Sequence, residues 1–198
     1  MTARAALSRD GILRGLKRLD EMAREAHKVI DLSIYGGAAL ALAFDMRVTT
    51  RDVDAVVRGS PDFLRAASAR IAEEEGWPAD WLNDGVKGFV SSREEMRLMR
   101  EFGAAGGSGL RVFMPSPQYL FAMKCMAMRP EGLDGSHDVS DIEALADVAN
   151  IADARAALEI VEAFYPKRHI PPKVRFGIEE IMERVEARRD AAARRRGK

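Results

Sequence analysis

Val29-Ile-Asp-Leu-Ser-Ile-Tyr35, Gly36-Gly37, Ala38-Ala-Leu-Ala-Leu-Ala-Phe44 and, eight residues on, Asp52-Val-Asp-Ala-Val-Val57 carry the most informative pattern in the chain. The first is a short run of β-branched and apolar residues, a strand by composition. The diglycine stops it. The residues that follow are strong helix formers and almost uniformly apolar, as a short helix buried against a sheet must be. The last piece is a second strand. Val53, Ala55 and Val57 alternate onto one of its faces, so Asp52 and Asp54 share the other.

Outward from this unit, Ile12, Leu13, Leu16, Leu19 and Met22 recur at helical spacing, and Ser8 can cap, which predicts a helix over 8–27. Residues 61–75 read as a helix opened by Pro61. The stretch 76–109 carries Trp77, Trp81, Asn83, Asp84 and Lys87, a strand expected near Phe89, a charged run, and a glycine-rich turn from Gly103 to Gly109. Leu110–Met114 reads as a third strand. Helices are expected at 118–128, 138–148, 153–164 and 174–190. The fold class is α+β: a small mixed β-sheet flanked by helices over residues 1–115, then a helical part over 116–198 packed on it as one cooperative unit.

At 198 residues, with 47% hydrophobic and 31% charged side chains, the chain is long enough for one substantial core and unlike a disordered segment. Basic and acidic residues number 31 each, so overall charge indicates no polyanionic partner. Arg188, Arg189, Arg194, Arg195, Arg196 and Lys198 make the C-terminus basic, either a solvated helix end or a surface for nucleic acid. A single cysteine, Cys125, excludes an intramolecular disulfide framework and a cysteine-based zinc cluster. With no apolar leader and no stretch of about 18 apolar residues, a cytoplasmic protein with no membrane segment is expected.

Two carboxylates held on one strand face repel unless something neutralises them. A divalent cation does so, since Mg²⁺ takes one or two protein carboxylates and completes its shell with water and phosphate oxygens. The plainer alternative is that both point into solvent. The Gly36-Gly37 turn has two readings as well. It lets backbone approach an anion at the positive end of a helix, or it supplies a tight turn of positive φ.

The run YGGAALALAFDMRVTTRDVDAVV resembles the signature of the nucleotidyltransferase superfamily, and its Arg47-x-x-Thr50-x-Asp52-x-Asp54 part is similar to the AbiEii-type toxins and their bacterial relatives. The resemblance covers about a quarter of the chain. It implies a nucleotidyltransferase fold, a triphosphate on Gly36 and Gly37 with Thr50 beside it, and Mg²⁺ or Mn²⁺ on Asp52 and Asp54. It further implies transfer of a nucleoside monophosphate from an NTP to a tRNA 3′ end or a protein hydroxyl, with a cognate antitoxin as a possible partner. Arg47, Arg51, Arg93, Arg97 and Arg100 are candidates to steer an RNA acceptor.

Lys124 is the one charge in Tyr119-Leu-Phe-Ala-Met-Lys-Cys-Met-Ala-Met128 and must reach water, a carboxylate or a phosphate. Asp138 and Asp141, three apart at the next helix start, offer a structural ion pair. The resemblance extends to this lysine and to His137-Asp-Val-Ser-Asp141, and implies that Lys124 contacts nucleotide phosphates and that Asp141, or in second place Asp138, completes the catalytic group. The family's basic residue at 137 is here a histidine. Leu110–Met114 carries no third carboxylate, which leaves three options: a two-carboxylate site, substitution by Asp84 or Asp141, or loss of catalysis to give a nucleotide-binding or protein-interaction module. Trp77–Lys87 could line a base or acceptor pocket, or pack beneath a loop.

Overall fold

The computed structural model describes residues 6–46, 48–103, 107–129 and 137–196. The chain is α+β, with a mixed sheet, and divides into two compact units, Met1–Gly88 with Met96–Pro115, and Phe89–Glu95 with Ser116–Lys198. Residues 89–95 thus belong with the helical part.

In chain order the first unit contains β1 (Leu7–Ser8), α1 (Arg9–Glu25), β2 (Val29–Ile34), α2 (Gly36–Ala43), β3 (Thr49–Thr50), β4 (Val53–Arg58), α3 (Pro61–Glu75), β5 (Leu82–Asn83), β6 (Met96–Glu101) and β7 (Gly109–Pro115). Five strands form one sheet in the order β5-β4-β2-β7-β6. β2 pairs parallel to β7 and antiparallel to β4, β4 parallel to β5, and β6 antiparallel to β7. The short β1–β3 pairing, Leu7 opposite Thr50, fixes the chain just ahead of Asp52.

Register decides which side chains share a face. Ile30, Leu32 and Ile34 line up with Leu110 and Val112 on one side and with Val57 and Ala55 on the other, and all but Val57 are buried. α1, α2 and α3 pack on this face. α1 contributes Ile12, Leu16 and Leu19, each fully buried and each contributing about 1.5–3 kcal/mol by leaving water. Asp20 welds α1 to the sheet: its Oδ1 accepts the Leu110 N–H at 2.9 Å and its Oδ2 the Arg24 Nε–H at 2.9 Å. The opposite face carries Asp54, Val56 and Arg58, Asp31 and Ser33, and Arg111 and Phe113. At one end of it Arg58, Asp31, Arg111 and Glu101 alternate in charge across four strands, with Arg111 bidentate on Asp31 at 2.6 and 2.7 Å.

Leu82, Asn83, Asp84 and Lys87 line a shallow pocket with Ala55, Val57 and α3, while Trp77 and Trp81 from the same stretch pack on each other and on α1. Their rings meet edge to face at 5.0 Å, Trp81 is fully buried, and its Nε1–H donates to the Ser68 carbonyl at 2.9 Å. Both lie on α1 at Gly15, where an added Cβ would stand 2.9 Å from Trp77 and 3.1 Å from Trp81. The strand expected near Phe89 is not formed: Gly85–Phe89 is a 3-10 turn, and the strand comes later, at Met96–Glu101. MRLMRE has no clean alternation because β6 is an edge strand with a bulge between Leu98 and Arg100, and its arginines blunt the edge.

The second unit is built from α4 (Pro117–Ala127), α5 (Asp138–Val148), α6 (Ala154–Phe164) and α7 (Pro172–Arg196). α4 is apolar nearly all round because it contacts each of the other three helices. Ser116 caps α4 by accepting the Tyr119 N–H, and Asp153 caps α6 by accepting that of Ala156. Part of the basic C-terminal run has a structural task. Arg188 and Arg189 hold Asp147, and Arg189 also donates to the carbonyls of Ala146 and Ile151, closing the C-terminal end of α5. Among the described residues no helix is long and apolar enough to cross a membrane.

Candidate functional site

The site expected from sequence sits where β2 ends, α2 begins and β4 enters the sheet. Gly36 is the first residue of α2 and has φ +61, the left-handed region that glycine occupies without a Cβ penalty. Its N-cap, Tyr35, supplies no side-chain cap, and the first return bond runs from the Ala39 N–H to the Tyr35 carbonyl. The amides of the first turn are therefore not used inside the helix. The Tyr35 N–H itself donates to the Asp54 carbonyl at 2.9 Å, extending the β2–β4 ladder up to the turn.

That ladder brings Asp54 onto the glycine. A Cβ placed on Gly36 would lie 2.8 Å from Asp54 Oδ2, so the carboxylate occupies the space a side chain there would need. Val53 and Ala55 are buried and Asp52 and Asp54 half-buried, which puts both carboxylates on the face away from the core, as the alternation requires. Thr50 is 6% exposed and donates its hydroxyl to the Asp52 carbonyl at 3.2 Å, shaping the approach to the strand.

Asn83, from the Trp77–Lys87 stretch considered as a pocket lining, also belongs here. β5 pairs parallel to β4 with Asn83 opposite Asp54, and the Asn83 Nδ2–H donates to Asp52 Oδ2 at 3.2 Å. A two-residue edge strand has no periodicity to detect. The only sequence signal is an Asn-Asp-Gly turn just after a tryptophan. Asp84, considered as a third carboxylate, is exposed and paired with Lys87, whose ammonium holds its carboxyl below the usual range. Among the described residues no group of three or more His, Cys, Asp or Glu is arranged to hold a metal ion. The donor set is two carboxylates with an adjacent carboxamide. That suits a cation that draws its remaining ligands from water and phosphate oxygens.

Lys124 and Asp141 lie in the second unit. The Lys124 ammonium stands 2.7 Å from Asp141 Oδ2 and 3.3 Å from Asp138 Oδ1, all three groups being largely buried. Arg129 also reaches Asp138, by its Nε at 3.4 Å and its backbone N–H at 3.3 Å. The lysine's charge is thus met by the two carboxylates that open α5, the structural ion pair that their spacing offers. His137 is exposed at the N-cap of α5 and makes no side-chain cap. Of the arginines considered for an RNA acceptor, Arg93 donates to the Ala163 carbonyl at 3.1 Å and Arg100 lies over the Phe102 ring at 5.3 Å. Arg47 is outside the described residues.

No family model, curated protein or solved structure matches the chain.

Proposed function

We propose that the chain has the nucleotidyltransferase fold and moves a nucleoside monophosphate from a nucleoside triphosphate to an acceptor hydroxyl. The observation that carries this reading is the seating of the Asp54 carboxylate against Gly36 at the uncapped start of α2, with Asp52 on the same strand face. An anion-receptive helix end and a pair of metal-receptive carboxylates then meet at one glycine. Asp52 and Asp54 would hold Mg²⁺ or Mn²⁺, which supplies charge neutralisation for the triphosphate and for the departing pyrophosphate. The first-turn amides at Gly36 and Gly37 orient the phosphates, and the missing Cβ at Gly36 makes room for the Asp54 carboxylate beside them. The acceptor oxygen forms a bond to the α-phosphorus as the bond from that phosphorus to the bridging oxygen breaks. The acceptor's proton passes to solvent and pyrophosphate leaves.

A tRNA 3′ end is the acceptor that the resemblance to AbiEii-type toxins implies, with a protein hydroxyl second; the chain would then be the toxin of a toxin–antitoxin pair. Lys124 and Asp141 enter the proposal only as the charged pair that shapes the second unit. One observation favours a catalytically silent, nucleotide-binding relative instead: no third carboxylate joins Asp52 and Asp54 among the described residues.

Incubation with each of the four α-³²P-labelled nucleoside triphosphates, Mg²⁺ or Mn²⁺, and RNA and protein pools separates the two. Transfer that falls about a hundredfold or more in Asp52→Asn is expected for an enzyme. Nucleotide binding without transfer under every combination would make the chain a silent binder.

A further inference from the structure

We infer that Asn83 is a positioning residue for the metal carboxylates, acting through Asp52; this rests on the function proposed above. The orientation of its carboxamide follows from its partners. The Gly85 N–H can only donate, and it reaches Asn83 Oδ1 at 2.9 Å. Nδ2 is therefore the atom turned to Asp52 Oδ2, an acceptor, at 3.2 Å. One end of the amide is fixed by backbone two residues on, and the other end fixes the carboxylate.

The anchor behind it is rigid. The Val53 N–H donates to the Trp81 carbonyl at 2.6 Å, tying β5 to β4 immediately before Asn83, and Trp81 is fully buried with its indole N–H on the Ser68 carbonyl. Gly85 closes the same turn over the neighbouring carboxylate: a Cβ there would lie 3.0 Å from Asn83 Oδ1 and 3.8 Å from Asp54 Oδ1. The buried tryptophan thus places β5, β5 places Asn83, and Asn83 holds one oxygen of Asp52 while leaving the other oxygen for a cation. A neutral donor does this without adding a third negative charge to a site that already carries two.

Asn83→Ser separates this task from a purely structural one. A serine hydroxyl can accept the Gly85 N–H, the same turn two residues long, but it is too short to reach Asp52. The assay is binding of Mn²⁺ alone, followed by the electron paramagnetic resonance of the free ion, in wild type, Asn83→Ser, Asp52→Ala and the double variant, with thermal unfolding measured on each. A charge-assisted hydrogen bond that orients a ligand is worth about tenfold in affinity. Asn83→Ser is expected to unfold near the wild-type temperature, to bind Mn²⁺ about tenfold more weakly, and to add no further loss in the Asp52→Ala background. Mn²⁺ binding that depends on Asp52 but is unchanged by Asn83→Ser, or losses that add fully in the double variant, would overturn the inference and leave the function standing. No Mn²⁺ binding by the wild-type chain would overturn both.

Discussion

Replacing Gly36 by alanine probes the point where backbone and chemistry meet. The residue sits at φ +61, where an L side chain costs about 1–2 kcal/mol, partly offset by the smaller freedom of alanine in the unfolded chain. The new Cβ would fall 2.8 Å from Asp54 Oδ2, whereas ordinary contacts begin at 3.4 Å, so the carboxylate must retreat by roughly 0.6 Å. The stability loss is then about 1–2 kcal/mol, or roughly 2–8 °C in Tm for a chain of this size. The effect on function should be larger. Displacement of that order at a site built on fixed geometry costs about tenfold to a hundredfold in binding or rate. Gly37, second in the helix and without a positive φ, is the control: alanine there should leave stability unchanged or raise it by up to about 1 kcal/mol. The assays are thermal unfolding of both variants and Mn²⁺-dependent binding of a fluorescent nucleoside triphosphate. A Gly36→Ala protein with wild-type Tm and wild-type affinity would refute the claim that Asp54 is seated on this glycine.

Lys124→Met should destabilise the chain by about 3–5 kcal/mol in urea unfolding, because it leaves Asp138 and Asp141, both largely buried, without the ammonium between them. A loss below about 1 kcal/mol would mean that other partners carry those charges. Cys125 is fully buried, and burial pushes its thiol well above the usual range, so a thiol reagent at pH 8 should leave the native protein unlabelled and react on unfolding. Rapid labelling of native protein would place α4 at the surface.

The strand–diglycine–helix–strand unit was legible because each piece carries an undiluted local signal. Val29–Tyr35 is β-prone, Ala38–Phe44 is apolar on every side, and Asp52 and Asp54 break the apolar alternation of their strand in one phase only. Helix α3 was legible to the residue, since Pro61 opens it and Gly76, in the left-handed conformation, closes it. β6 was missed because the bulge between Leu98 and Arg100 breaks the alternation of an exposed edge strand, and β5 because two residues show no period. The same brevity hid Asn83, whose relation to Asp52 exists only through strand pairing across 31 positions of sequence. Lys124 was the opposite case. Its isolation in an apolar helix announced a partner, and the two aspartates at the start of α5 provide it.

The most direct test is a crystal of the chain soaked with Mn²⁺ and a non-hydrolysable nucleoside triphosphate, with anomalous scattering recorded at the manganese edge. An anomalous peak within coordination distance of both the Asp52 and Asp54 carboxylates, with phosphate density against the amides that open α2 at Gly36, is the result expected. Manganese bound elsewhere, or a triphosphate that leaves Gly36 untouched, would contradict the assignment of this turn and strand as a nucleotide site.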